Sequence, residues 1–205
     1  MRPPVEVLNA GGASPYVLVC EHASNWIPPE YDRLGLPEAE LSRHIAWDIG
    51  AADMARRISL RLDAPLVLAG ASRLLIDLNR PPGSPGSIPE SSEATLIPGN
   101  RSLGAIERAR REARWFHPFQ GAVTDLLAVR QATGSVSAVI GIHSFTPVFL
   151  GVARPWSAGV LYRKSATFAD RLITLLGGEA AAIAHNRPYQ IEDDSDYTVP
   201  VHGEA

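Results

Sequence analysis

The chain has 205 residues, 45% of them apolar and 20% charged, with a formal net charge of −3 and one cysteine. That length supports a core without covalent staples, and the balance of apolar to charged residues excludes a disordered chain. The slightly acidic charge, without any basic block, argues against nucleic acid or an anionic membrane as partner, and the lone Cys20 excludes an internal disulfide and the multi-cysteine zinc motifs.

Met1-Arg2-Pro3-Pro4 carries no apolar signal segment, and no apolar run approaches the ~20 residues that span a bilayer, so the expected location is cytoplasmic. The segment through Pro15 reads as loop. Tyr16-Val17-Leu18-Val19-Cys20 is short, apolar and bounded by turn formers, as a buried strand is, with Cys20 as core filler. Glu21-His22-Ala23-Ser24-Asn25 follows as a polar loop. From about Glu38, apolar residues at Leu41, Ile45, Ile49, Ala52, Ala55, Ile58 and Leu62 recur at three- and four-residue spacing. The spacing predicts one amphipathic helix with His44 and Asp48 on a second face.

Residues 66–69 and 74–76 read as two further strands, and the Pro-, Gly- and Ser-rich stretch 81–100 as a long functional loop. Ser102 is placed to cap a helix whose solvated face is the charged run 107–114, and Pro118 is expected to kink or split that helix. Residues 138–142 and 159–162 read as strands, and 166–176 as a helix closed by Gly177-Gly178. The segment from His185 on is rich in loop formers. Strands alternating with helices, several apolar on both faces, predict an α/β fold: a mostly parallel sheet with helices on both faces. Ligands of such sheets bind beyond the carboxyl ends of the strands.

Three polar clusters sit at those ends. Ser72-Arg73-Leu74-Leu75-Ile76-Asp77-Leu78-Asn79-Arg80 offers guanidinium forks suited to a carboxylate, although Arg73 and Arg80 are also candidates for structural ion pairs with Asp77. His22 and His143 are each placed to be zinc ligands, with Glu21 the nearest carboxylate. Asn25 stands where a His-x-x-Glu motif has its glutamate. Asp48 is a candidate either to ligate or to orient a ligating histidine, whereas His44 and His117 read as structural. No Gly-x-Ser-x-Gly elbow, phosphate loop or dinucleotide fingerprint occurs. Ser144, adjacent to His143 on an extended segment, points to the opposite face.

Val19-Cys20-Glu21-His22-Ala23-Ser24-Asn25, Ala46-Trp47-Asp48-Ile49-Gly50-Ala51, the 72–80 segment, Ile142-His143-Ser144-Phe145-Thr146-Pro147, Arg154-Pro155-Trp156, Asn186-Arg187-Pro188-Tyr189 and His202-Gly203-Glu204 together resemble the N-formylglutamate amidohydrolase family, from about residue 16 to the end. The resemblance implies a single domain with a phosphorylase/hydrolase-like fold akin to zinc carboxypeptidases. It implies a Zn2+-dependent hydrolase acting on linear amides that converts N-formyl-L-glutamate to formate and L-glutamate, the last step of one histidine-degradation route. By the same likeness His22 and His143 hold the metal, with Glu21, as the nearest carboxylate, the expected third ligand, while Asn79 and Arg80, and more loosely Arg73, grip a small acidic N-acyl amino acid. His202 is expected to assist the oxyanion. Such enzymes supply a late glutamate as base, and this chain ends before that segment. The chain is then a piece of a longer protein, or Glu204 or Glu21 takes the role, or catalysis is lost. The last alternative is a metal-free binding or scaffold domain. The family also often has a histidine where this chain has Gln120.

Overall fold

The computed structural model describes residues 2–189, 191 and 196–202. Its centre is a four-stranded sheet built from β1 (Val5–Leu8), β2 (Tyr16–Cys20), β3 (Leu66–Ala69) and β4 (Ala138–Gly141), in the spatial order β1-β3-β2-β4. β2 pairs parallel with β3 and with β4, and β1 closes the β3 edge antiparallel. Successive side chains of a strand alternate between faces, and here both faces are covered. Val17, Val19, Val67 and Ala69 pack in one cluster with Phe119, Val123 and Leu126 of helix α4 (His117–Ala132). Leu18, Cys20, Leu66 and Leu68 pack in the other with Ala51 and Ala55 of helix α2 (Ala51–Leu62). The chain is therefore an α/β protein with a mostly parallel central sheet between helices. No described helix is long and apolar enough to cross a membrane.

Several elements differ from the sequence reading. Residues 5–8 form β1 in place of loop, pairing through backbone with Val5 opposite Ala69 and Leu8 opposite Leu66. The helix expected over 38–62 is interrupted. A single turn, α1 (Glu38–Leu41), stops at Ser42, and α2 begins only after Gly50, whose φ of 81° is a left-handed value that suits glycine. The intervening turns are held from outside: Ser72 Oγ donates to Ala46 O, and Asp48 N donates to His22 O. Ile45 and Ala46 are buried there while Ile49 is exposed, so the apolar stripe does not continue through the break.

Residues 74–76 are buried turns, not a strand. Buried irregular backbone needs partners, and side chains supply them. Asn100 Nδ2 donates to Leu74 O, Arg111 Nη1 to Leu75 O and Gln120 Nε2 to Leu78 O, at 2.8, 3.0 and 2.8 Å. Arg111 thus leaves the solvated face expected of the 107–114 run and is 2% exposed. It lies at the end of α3 (Ala105–Arg111), where its guanidinium also reaches Asn100 Oδ1 and Gly99 O and pairs with Glu107. A π-helical turn over Glu112–Phe116 joins α3 to α4, with Pro118 in the first turn of α4. Helical backbone runs unbroken through both junctions, so in place of the expected kink or split at Pro118 the chain keeps one continuous helix over 105–132 with a π turn just before the proline.

The loop 81–100 contains a two-residue-per-strand hairpin, Ser91–Ser92 against Thr95–Leu96, and a 3-10 turn at Pro98–Asn100. β5 (Ala158–Val160) covers part of the expected 159–162 strand. It stands outside the central sheet, paired parallel with β6 (Ile183–His185). Helix α5 (Ala166–Leu175) precedes Gly177-Gly178, and a short helix, α6 (Thr198–His202), ends the described chain.

Candidate metal centre

β2 runs straight into Glu21 and His22, and β4 is followed after Ile142 by His143. Because these two strands are parallel neighbours, both histidines leave the sheet at the same end, with ring centroids 5.0 Å apart. Asp48, in the turn before α2, enters from the side. It is 5% exposed and touches both rings: Oδ2 lies 2.8 Å from His143 Nδ1, and Oδ1 lies 3.4 Å from His22 Nδ1. One ligand atom from each of His22, Asp48 and His143 lies within 4.8 Å of the others.

Asp77 sets the orientation of His22. Its Oδ1 is 2.8 Å from His22 Nε2 and also accepts from Asn79 N, while its Oδ2 accepts from Arg73 Nη2 at 2.8 Å. A proton on His22 Nε2 directed at Asp77 leaves Nδ1 as the remaining ring atom, and Nδ1 is buried without a hydrogen-bond partner among the described residues. An imidazole bonded through one nitrogen to a carboxylate, with the other bare and facing a second histidine and an aspartate, is how ligating histidines are held. Two imidazoles and a carboxylate are also the donor set of catalytic zinc. The residues present therefore fit a zinc-like ion.

Electrostatics agree with that fit. Burial alone would raise the Asp48 and Asp77 carboxyls. His22 and His143 at Asp48, and His22 and Arg73 at Asp77, hold them far below the usual range instead. Burial and the Arg73 charge press His22 toward neutrality, but Asp77 and Asp48 outweigh them and its pKa rises. Burial likewise disfavours the His143 cation, yet Glu21 and Asp48 push its pKa up to about 10. The site thus favours added positive charge, which protons on the rings or a divalent cation supply.

A pH dependence follows. The metal-free fold gains stability from the His143 cation, fully below the ordinary pKa of 6.5 and lost as pH rises through about 10. Zinc uptake near pH 7 must displace that proton. Calorimetric titrations in buffers of different ionisation enthalpy are expected to show release of about one proton or more per zinc, and tighter binding as pH rises. Affinity independent of pH between 6 and 9 would contradict this electrostatic picture.

Glu21 lies on the other side of His143. It is 1% exposed, its Oε2 is 3.4 Å from His143 Nε2, and neither oxygen has a hydrogen-bond partner among the described residues. Burial raises its pKa, but His143 and His22 outweigh burial, and the net shift is downward. The structure therefore groups Asp48, not Glu21, with the two Nδ1 atoms, and sets Glu21 against the opposite nitrogen of His143.

Arg73 and Arg80 line a cleft of about 420 Å3 together with Asp77, Ile45 and Gly86. Arg73 is also bound to Asp77 and approaches Asp48 at 3.6 Å, so the structural ion pair and the cleft wall are one residue. Asn79 does not line this cleft. Its Oδ1 accepts from Tyr197 N and Thr198 N at the start of α6, and its Nδ2 donates to Asp196. His202 Nε2 lies 2.9 Å from Gln120 Oε1. Glu204 lies outside the described residues. His44 is paired with Glu93, and His117 is exposed beside Phe116 rather than packed in the interior.

Sequence reasoning gave Asp48 two alternative roles but set it on a helix face it does not occupy. It did not see that Asp77 anchors His22. The signal lay in the 72–80 segment: an aspartate in an otherwise apolar run must find a donor when buried.

The chain matches the family model described as N-formylglutamate amidohydrolase over residues 14–205. It is similar to a crystal structure of a gene product from Agrobacterium tumefaciens, with 41% identity and a TM-score of 0.93 over 98% of this chain and 79% of that one. It shares its fold with the crystal structure of N-formylglutamate amidohydrolase from Ralstonia eutropha, at 20% identity and a TM-score of 0.62, covering 91% of this chain and 77% of that one. No curated protein matches. Fold, site and a family match over most of the chain agree, and the chain belongs to the N-formylglutamate amidohydrolase family, whose activity is of the amidohydrolase type.

Proposed function

We propose that the protein is a zinc-dependent amidohydrolase that cleaves an N-acylated acidic amino acid, with N-formyl-L-glutamate, an intermediate of histidine degradation, as first candidate. The observation that carries this reading is the convergence of His22, Asp48 and His143 within 4.8 Å, joined through Asp77 to a cleft lined by two arginines. When bound, zinc supplies Lewis acidity and lowers the pKa of water.

The chain's own residues supply the rest. Asp77 fixes the His22 ring, and Asp48 spans both imidazoles. Arg73, its Nη2 held by Asp77, and Arg80 both line the cleft and give it the positive charge that draws and orients a carboxylate, which aligns the amide and lowers the entropy lost on attack. Glu21 is the buried carboxylate beside His143, and the two imidazoles hold it in the charged form, so that it adds negative charge to the site. Asp77 ties the two halves together, because it bonds both the His22 ring and the Arg73 fork.

Formate release from a panel of N-acyl glutamates and aspartates, with metal content measured on the same samples, tests the reading. N-formylglutamate is expected to turn over fastest in the zinc-loaded protein. Turnover that survives complete removal of metal would exclude it. Arg80→Ala is expected to raise KM for acidic substrates about 10- to 100-fold while leaving zinc content unchanged. Equal losses of zinc and substrate affinity would overturn that division of labour.

A further inference from the structure

Gln120 is buried in α4, 7% exposed, and its side-chain amide is bonded at both ends. Nε2 lies 2.8 Å from Leu78 O and 3.2 Å from Thr198 Oγ1. A backbone carbonyl only accepts, so the atom facing it must be the NH2 group. The flipped amide would set two acceptors against each other in a buried site. The amide orientation is thereby fixed, and Oε1 must be the atom that faces His202 Nε2 at 2.9 Å. An amide oxygen only accepts in its turn, so His202 Nε2 must carry a proton. In the neutral ring Nδ1 is then a bare lone pair.

We propose that Gln120 is a positioning residue that holds His202 in the Nε2–H tautomer, so that His202 works through Nδ1 as a proton acceptor and not as a neutral oxyanion donor.

The surroundings fit that role. A Cβ at Gly141 would meet Val199 Cγ2 of α6 at 3.4 Å and His143 Nε2 at 3.5 Å, so α6 stands at the strand end that carries His143. Burial lowers the His202 pKa against an opposing pull from the Glu21 charge, which favours the neutral ring. Thr198 and the backbone around Leu78 tie the same amide to Asn79, whose Oδ1 binds the first turn of α6. The 72–80 segment, α4 and α6 therefore meet at one side chain. Resting on the amidohydrolase reading, the step is this: the attacking water forms the new C–O bond and gives a proton to His202 Nδ1. As the C–N bond breaks, its electron pair stays on nitrogen, and Nδ1 returns the proton there, leaving acid and amine.

The test is nitrogen NMR of the histidine rings in the full, zinc-loaded chain, with His202 assigned by its loss in His202→Gln. Nε2 is expected to resonate as the protonated nitrogen and Nδ1 as the unprotonated one. Gln120→Glu sets a carboxylate oxygen against Leu78 O and a negative charge at His202 Nε2, so there the ring is expected to keep the Nε2 proton and to take a second one on Nδ1. Gln120→Leu is expected to mix the two tautomers and to lower kcat about tenfold or more with little change in KM. A purely structural glutamine would not sort the variants in this way. The Nδ1–H tautomer in the unsubstituted protein overturns the proposal without any variant, as does an unchanged tautomer and kcat in a folded Gln120→Leu protein. The Nε2–H tautomer in a protein that hydrolyses no N-acyl amino acid upholds the positioning and sinks the amidohydrolase reading alone.

Discussion

Asp48→Asn is expected to lower zinc affinity more than about 100-fold and to reduce turnover to background, with the fold intact. Asp48 is the carboxylate that touches both rings, Oδ2 at His143 Nδ1 and Oδ1 near His22 Nδ1. Asparagine keeps the volume and the backbone bond from residue 48 to His22 O, so packing is not the variable. What changes is charge: an amide is a poor zinc ligand, and the two imidazoles lose one of the carboxylates that raise their pKa. Asp77→Asn should be milder, about 10- to 100-fold in affinity, since Asp77 acts through His22 and does not sit among the three converging ligand atoms. Competition with a chromophoric chelator measures both, and circular dichroism checks the fold. Equal effects of the two substitutions, or zinc retained by Asp48→Asn, would show that the metal is held by another set, Glu21 included.

Arg111→Ala is expected to be among the most destabilising substitutions on a helix that reads as solvated. The side chain is 2% exposed and donates to Leu75 O, Asn100 Oδ1 and Gly99 O while pairing with Glu107. Truncation leaves these buried acceptors without a donor, for which a cost of about 3–5 kcal/mol in all is expected, while Glu107 keeps its pairing with Arg110. Lysine does not restore it, because one ammonium cannot reach carbonyls arranged around a planar fork. Substrate binding should suffer as well, since the carbonyls that Arg111 and Asn100 hold belong to the turn that carries Arg73, Asp77 and Arg80. Urea denaturation measures the loss. A cost under about 1 kcal/mol would mean that the 72–80 backbone finds other partners.

Those two residues mark what the sequence did and did not disclose. Strands 16–20 and 66–69 are apolar on every position because both sheet faces are covered, and such runs are legible from composition alone. The run 74–76 looks the same for a different reason. It is buried on all sides, yet its carbonyls go to side chains of Asn100 and Arg111, distant in sequence, which periodicity cannot register. The same blindness made Arg111 a surface residue and extended a helix across 42–50, where Ile45 is buried by turn geometry and not by a helical stripe. β1 was missed because it is an edge strand held by backbone pairing, with Glu6 and Val7 exposed. His22 and His143 were legible as strand-exit residues. Their partnership with Asp48 and Asp77 depends on how two irregular segments fold back over the sheet.

The central claim is that one divalent ion sits among His22, Asp48 and His143. Anomalous scattering at the zinc edge from crystals of the zinc-loaded protein tests it most directly. One strong peak is expected within bonding distance of all three side chains, with Zn–N separations of about 2.0–2.1 Å. A zinc-loaded, active protein whose peak lies elsewhere, or which gives no peak between these residues, would contradict the account.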